Sequence, residues 1–201
     1  KPSRSDKFLQ VNEFLKILSQ SLPLDEGKSK NTLTVVDLGC GSAYLTFAAH
    51  QYLRKQGIMT QTLGIDSRAD SKERNQAVSA NVGLEDSLRF EVSEIAKFPK
   101  QKVDITIALH ACDTATDDAI AWAIESESQV ILVSPCCHHD IQRQMKDSPE
   151  PWKIATKHGI LAERLGDLMT DAIRAQILRV LGYRTDVIEF IAGDHTPRNL
   201  M

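Results

Sequence analysis

The chain has 201 residues, 42% of them hydrophobic and 25% charged: enough for one well-filled core and too few for two ordinary domains. Its formal net charge of −3 argues against a globally basic nucleic-acid binder. No apolar run reaches the roughly 18 residues of a membrane span, and no apolar signal region follows the opening Lys1-Pro-Ser-Arg-Ser-Asp6. The four cysteines fall at predicted strand ends rather than at disulfide-framework spacings, so one cytoplasmic domain over residues 1–201 is expected.

Taken in chain order, Phe8, Val11, Phe14, Leu15 and Leu18 recur at helical spacing and predict an N-terminal helix within residues 1–22, ending before Pro23. A polar loop over 25–31 leads into a buried strand over 32–37, a glycine turn and a helix over 44–55. Strands over 61–65, 88–92, 103–109 and 129–133 follow, with helical segments over 71–82 and 117–124. Alternation of this kind implies right-handed crossovers and a mostly parallel sheet with helices on both faces, so residues 32–139 form a Rossmann-like α/β core. Residues 151–201 predict a long helix over 161–181 stopped by Gly182, then a strand over 185–191. Asn199, Leu200 and Met201 read as the start of one more strand.

The glycine turn is where a nucleoside cofactor would sit. Gly39 and Gly41 permit the sharp bend and close backbone approach that such a ligand needs, and Ala43 keeps the following helix close to the strand. Asp37 places a carboxylate at the strand end, which repels a pyrophosphate and attracts the cationic amino-acid portion of S-adenosylmethionine. Tyr44 occupies the third glycine position of the strict dinucleotide pattern, a further argument against an oxidoreductase. A second carboxylate, expected about 20 residues further on to hold ribose hydroxyls, is supplied by Asp66, with Ser67 beside it. Glu94 and Ile95, after the third strand, are candidates for the adenine edge, and Cys40 and Leu109 complete the expected cofactor set.

The fourth and fifth strands end in unusual segments, residues 108–117 and 134–139. Ligands of open parallel sheets lie outside the carboxyl ends of the strands, so His110, Cys112, Asp113, His138 and His139 are expected around one cleft. His110, Asp113 and His138 are the candidate catalytic residues, because a general base is useful when a hydroxyl is the methyl acceptor. The same cysteines and histidines offer zinc-ligand types, but four consecutive residues at a strand end point alternately and do not converge easily on one tetrahedral ion, so no metal is expected. Arg174 reads as part of a solvated helix face, and His195 as part of a turn rigidified by Pro197; a role for either in holding the acceptor is the weaker reading.

The pairing of Leu109-His-Ala-Cys with Ala115-Thr-Asp117 and Cys136-Cys-His-His139 resembles a group of class I S-adenosylmethionine-dependent methyltransferases. That group includes the tRNA acceptor-stem ribose 2′-O-methyltransferases and the glutathione S-transferase C-terminal-domain-containing protein. The resemblance runs from the N-terminal helix to about His139. It implies S-adenosylmethionine as cofactor, RNA as acceptor with a ribose 2′-hydroxyl as the most specific expectation, and a C-terminal antiparallel hairpin that these 201 residues would cut short. The chain departs from the tRNA enzymes at Asp113, where they favour glycine, and lacks their zinc-finger segments within its 201 residues. The alternatives are a protein or small-molecule methyltransferase and a cofactor-binding partner subunit without catalysis. Clustering of Arg143, Lys146, Lys153 and Lys157 would favour RNA, and an enclosed apolar pocket a small molecule.

Overall fold

The computed structural model describes residues 4–22, 32–109, 111–189 and 200–201. Five strands, β1 (Leu33–Leu38), β2 (Thr60–Asp66), β3 (Leu88–Val92), β4 (Ile105–Ala108) and β5 (Val130–Val133), form one sheet in the order β3-β2-β1-β4-β5. All of its pairings are parallel. The order reverses between β1 and β4, so a crevice opens outside their carboxyl ends, the usual ligand position in such sheets. The Rossmann-like α/β expectation holds.

Strand alternation distributes the core to both faces. Val35, Ile105, Ile107, Val130 and Leu132 pack with Phe14 and Leu18 of α1 (Arg4–Ser21) and Leu45, Ala49 and Leu53 of α2 (Tyr44–Lys55). Val36, Leu38 and Ala108 face the other way, toward Ala119 and Trp122 of α4 (Thr114–Glu125). Trp122 stacks on Phe98 and donates its indole N–H to the Phe98 carbonyl at 3.1 Å, so its one polar atom is satisfied in the core. The small polar residues Ser71, Asn75 and Ser79 form the buried stripe of α3 (Ala69–Asn81), four residues apart.

Beyond β5 lie two short helices that the apolar pattern does not predict, α5 (His139–Gln144) and α6 (Lys153–Thr156). They precede α7 (Gly159–Val180), which is closed by Gly182 at φ 92°. Tyr183 N–H returns to the Leu178 carbonyl at 3.0 Å, as a left-handed cap requires. Of the strand expected over 185–191, residues 190 and 191 lie outside the described residues. Among the described ones, 185–188 are irregular, and the pairing is an antiparallel bridge between Glu189 and Leu200, with reciprocal Ile188–Met201 backbone bonds of 2.9 and 3.0 Å. No helix among the described residues is long and apolar enough to cross a membrane. His110, His195, Pro197, Asn199 and the loop over 25–31 lie outside the described residues.

Candidate active site

The turn between β1 and α2 is built from conformations that side chains resist. Gly39 and Gly41 have φ of 78° and 56°, and Ala43 follows at 57°. The N–H groups of Gly39 and Cys40 both donate to the Ile65 carbonyl, at 2.8 and 2.9 Å, which stitches the turn to the end of β2. Gly41 N–H donates to Asp66 Oδ2 at 2.9 Å, and its carbonyl accepts from Asn75 Nδ2 at 2.9 Å. Beneath the turn there is no room for a side chain at Gly64, where a Cβ would lie 2.5 Å from the Phe90 ring. Tyr44, the first residue of α2, donates its hydroxyl to Gln10 of α1 at 2.6 Å and so ties the N-terminal helix to this turn.

Asp66 is the carboxylate at the end of β2. Its Oδ1 accepts from both the backbone N–H and the Nε of Arg68, each at 3.0 Å. Burial alone would raise its pKa, but the hydrogen bonds from Arg68 and Gly41 outweigh it and hold the carboxyl below its ordinary value. Asp37 has the opposite environment. It is buried, accepts the Thr46 hydroxyl, and is pushed up from 3.8 to about 7, chiefly by burial and with a smaller push from the Asp66 charge; the Thr46 bond opposes both.

A pH prediction follows from that shift. Because the folded value lies above the unfolded one, the contribution of Asp37 to stability is full below pH about 4 and is lost as pH rises through about 7. Wild-type stability is expected to fall relative to Asp37→Asn over this window, by at most about 1.4 kcal/mol per pH unit. Urea unfolding of both proteins at pH 5 and pH 8 checks it. Parallel pH profiles would show that Asp37 does not titrate there.

The other expected cofactor residues are arranged unevenly. Cys40 is buried, and burial, followed by the Asp37 and Asp66 charges, raises its thiol pKa strongly. Ser67 is exposed. Ser93 N–H donates to the Asp66 carbonyl at 3.1 Å, which brings the β3 loop beside Asp66. Glu94 is exposed and pairs with Lys97 at 2.8 Å, while Ile95 opens a short 3₁₀ turn. Leu109 is buried in the core cluster with Phe14 and Leu18, so its side chain belongs to the packing around the sheet.

At the ends of β4 and β5, two loops are locked together. Asp113 Oδ1 accepts the Asp140 N–H at 3.0 Å, and its Oδ2 lies 3.6 Å from Arg143 Nη2. His138 is 5% exposed, with Nε2 2.8 Å from Asp171 and Nδ1 3.2 Å from Asp167, both on α7. Arg174 corrects the solvated-face reading. It is 7% exposed, grips Asp117 through Nε and Nη2 at 2.7 and 3.0 Å, and donates to the Asp113 carbonyl at 3.0 Å. The sulfurs of Cys112 and Cys136 approach to 2.7 Å, and those of Cys136 and Cys137 to 3.7 Å.

Asp113 also has a backbone that suits glycine, with φ 53° and ψ −125°. Alanine and glycine at this position lose the same carboxylate bonds, so comparing them isolates the backbone. Asp113→Gly is expected to be more stable than Asp113→Ala by about 1–2 kcal/mol in urea unfolding. Equal stabilities would mean that the position stores no strain.

A family model described as a methyltransferase domain matches residues 6–144, more than half of the chain. The chain belongs to this methyltransferase-domain family. No curated protein matches it. Among solved structures it is similar to a SAM-dependent methyltransferase from Aquifex aeolicus, with 17% identity, a TM-score of 0.50, and 90% of this chain and 85% of that one covered. It is also similar to a geranyl diphosphate methyltransferase in complex with SAM, at 18% identity and a TM-score of 0.45, over 63% of this chain and 47% of that one. The geranyl diphosphate C-methyltransferase of Streptomyces coelicolor A3(2) has 16% identity and a TM-score of 0.45, over 66% of this chain and 45% of that one. The chain thus spans about half the length of the first structures it matches. The Aquifex likeness is one of fold.

Within this methyltransferase domain, several residues that shape the site are not evident from sequence reasoning. Arg68 pairs with Asp66, Asn75 anchors the Gly41 carbonyl, and Thr46 caps Asp37. Asp171 holds His138 Nε2 from a helix about 30 residues away, and Asp167 lies near Nδ1 without a hydrogen bond to it. Only Asn75 carries a readable signal, as the centre of the Ser71, Asn75, Ser79 stripe at helical spacing.

Proposed function

We propose that this domain transfers the methyl group of S-adenosylmethionine to a nucleophilic acceptor held at the ends of β4 and β5. The observation that carries the reading is the joining of Gly41 to Asp66, a glycine turn and an ionised carboxylate at the carboxyl ends of the adjacent strands β1 and β2 in a methyltransferase-family sheet. These residues fit the cofactor. Asp66 Oδ2, which accepts one bond from Gly41, has capacity left for a ribose hydroxyl; Gly39 and Gly41 present no Cβ to a ligand while the Cys40 side chain is buried; and Glu94 and Ile95, after β3, are the candidates for the adenine edge. When bound, S-adenosylmethionine supplies an electrophilic methyl group on its sulfonium.

The chain's own contribution is chiefly orientation. Holding acceptor and methyl in line can account for about 7–11 kcal/mol of barrier reduction. Asp113 is committed to Asp140 and His138 Nε2 to Asp171, so both act as positioning residues that set the two loops. The direct proton acceptor, where a hydroxyl is methylated, is assigned to His110 on the sequence argument. His110→Ala is expected to lower turnover about 100-fold or more with little change in cofactor affinity. An unchanged rate would mean that no base acts there.

The finer reading is RNA as acceptor at a ribose 2′-hydroxyl, in the cytoplasm, and it is supported by the resemblance of residues 109–117 and 136–139. Charge does not add to it. Residues 139–158 carry Arg143, Lys146, Lys153 and Lys157 against Asp140, Asp147 and Glu150, a nearly balanced surface. The test is transfer of labelled methyl from S-adenosylmethionine into separated small-RNA, large-RNA, protein and small-molecule fractions. Nuclease-sensitive label is the expected result. Label confined to protein or small molecules would overturn the RNA reading and leave methyl transfer standing.

A further inference from the structure

The loops after β4 and β5 bring together three thiols that are remote or awkwardly adjacent in sequence. Cys112 follows β4, while Cys136 and Cys137 follow β5, and their three sulfur atoms all lie within 4.8 Å of one another. The alternation expected of consecutive strand-end residues does not apply here. β5 ends at Val133, and the irregular backbone that follows brings the Cys136 and Cys137 sulfurs within 3.7 Å of each other. That separation matches the edge of a thiolate tetrahedron around zinc, about 3.8 Å for Zn–S bonds of about 2.3 Å, whereas the Cys112 and Cys136 sulfurs, 2.7 Å apart, must separate by about 1 Å to coordinate the same ion.

We propose that Cys112, Cys136 and Cys137 form a binding site for a thiophilic divalent cation, zinc in the first instance, with three thiolate ligands and one position open to an exchangeable ligand. The site does not depend on the identity of the methyl acceptor or on the cofactor.

Two observations beyond proximity carry the proposal. First, the backbone around the thiols is held by an outer layer of polar contacts, as metal ligands usually are. The residue after Cys112 is Asp113, whose carboxylate holds Asp140 and whose carbonyl accepts from the buried Arg174. The residue after Cys137 is His138, whose Nε2 lies 2.8 Å from Asp171 of α7. Both ends of the cluster are therefore fixed to the same helix.

Second, access is compatible with loading. Cys112 is exposed and the other two are half-buried, so an ion can enter without opening the core. Zinc binding at three thiols releases up to three protons, so affinity rises with pH.

The experiment is titration of the whole chain, reduced with a phosphine, with Co(II) and then with Zn(II) as competitor. The expected result is one Co(II) per chain with a thiolate-to-cobalt charge-transfer band, abolished by zinc and lost in Cys112→Ser. A second measurement on wild-type protein avoids dependence on that variant's folding. Alkylation counted by mass spectrometry is expected to show zinc protecting all three of Cys112, Cys136 and Cys137. Cobalt binding without the sulfur band, alkylation unaffected by zinc, or recovery of a Cys112–Cys136 disulfide that resists the reductant would each overturn the proposal.

Discussion

Asp66→Ala is expected to weaken binding of S-adenosylmethionine roughly 10- to 150-fold while leaving the fold intact. Hydrogen bonds to a charged partner contribute about 1.5–3 kcal/mol each, and this range corresponds to the loss of one of them to the ribose. The loss has a second component, because Asp66 also accepts the Gly41 N–H at 2.9 Å and so fixes the glycine turn. Asp66→Asn keeps the shape and an acceptor for Gly41 but loses the charge, so its affinity should fall between those of wild type and Asp66→Ala. Calorimetry gives the affinities, and circular dichroism with thermal melting reports the fold. Wild-type affinity in Asp66→Ala would remove this residue from the cofactor site.

The largest stability effect is expected at Arg174. Its guanidinium is buried, and it binds Asp117 bidentately, lies 3.4 Å from Asp171 and donates to the Asp113 carbonyl. Replacing it with methionine keeps most of the packing volume but leaves the Asp171 carboxylate, whose side chain is 12% exposed, with His138 and without this cation, and deprives the Asp113 carbonyl of its donor. Removing one partner of a buried ion pair typically costs 3–5 kcal/mol. Asp117 is half-exposed and can be hydrated, so a loss of about 3 kcal/mol is expected in urea unfolding. Arg174→Met combined with Asp171→Asn should recover part of it. A single mutant as stable as wild type would show that the network does not hold the β4 and β5 loops.

What was legible in the sequence follows from which interactions are local. The α2 helix starts and stops where the apolar period and the glycine turn place it, and β3 coincides with its expected range, residues 88–92. The positive φ values at Gly39 and Gly41 are what a tight strand-to-helix turn requires. Asp66 sits at its strand end because hydrophobic alternation stops there. The rest depends on distant partners. Nothing local to Arg174 distinguishes a solvated arginine from one that reaches Asp117, 57 residues away. The same applies to His138, whose partners Asp167 and Asp171 come from α7, and to the convergence of Cys112 with Cys136. The expected strand over 185–191 is irregular over 185–188 for a different reason. Its alternating residues suit a strand, but pairing depends on a partner segment, and in the described residues that partner is only Leu200 and Met201.

The central claim, that the ends of β1, β2 and β3 hold S-adenosylmethionine, is tested most directly by a crystal structure of the chain with S-adenosylhomocysteine. The expected result is ribose hydroxyls on Asp66, the backbone turn of Gly39 to Gly41 against the ligand, and the adenine beside Glu94 and Ile95. A ligand bound elsewhere would contradict the account. One such place is the cavity of about 650 Å³ beside β5 that Val133, Ala175, Tyr183 and Met201 help to line.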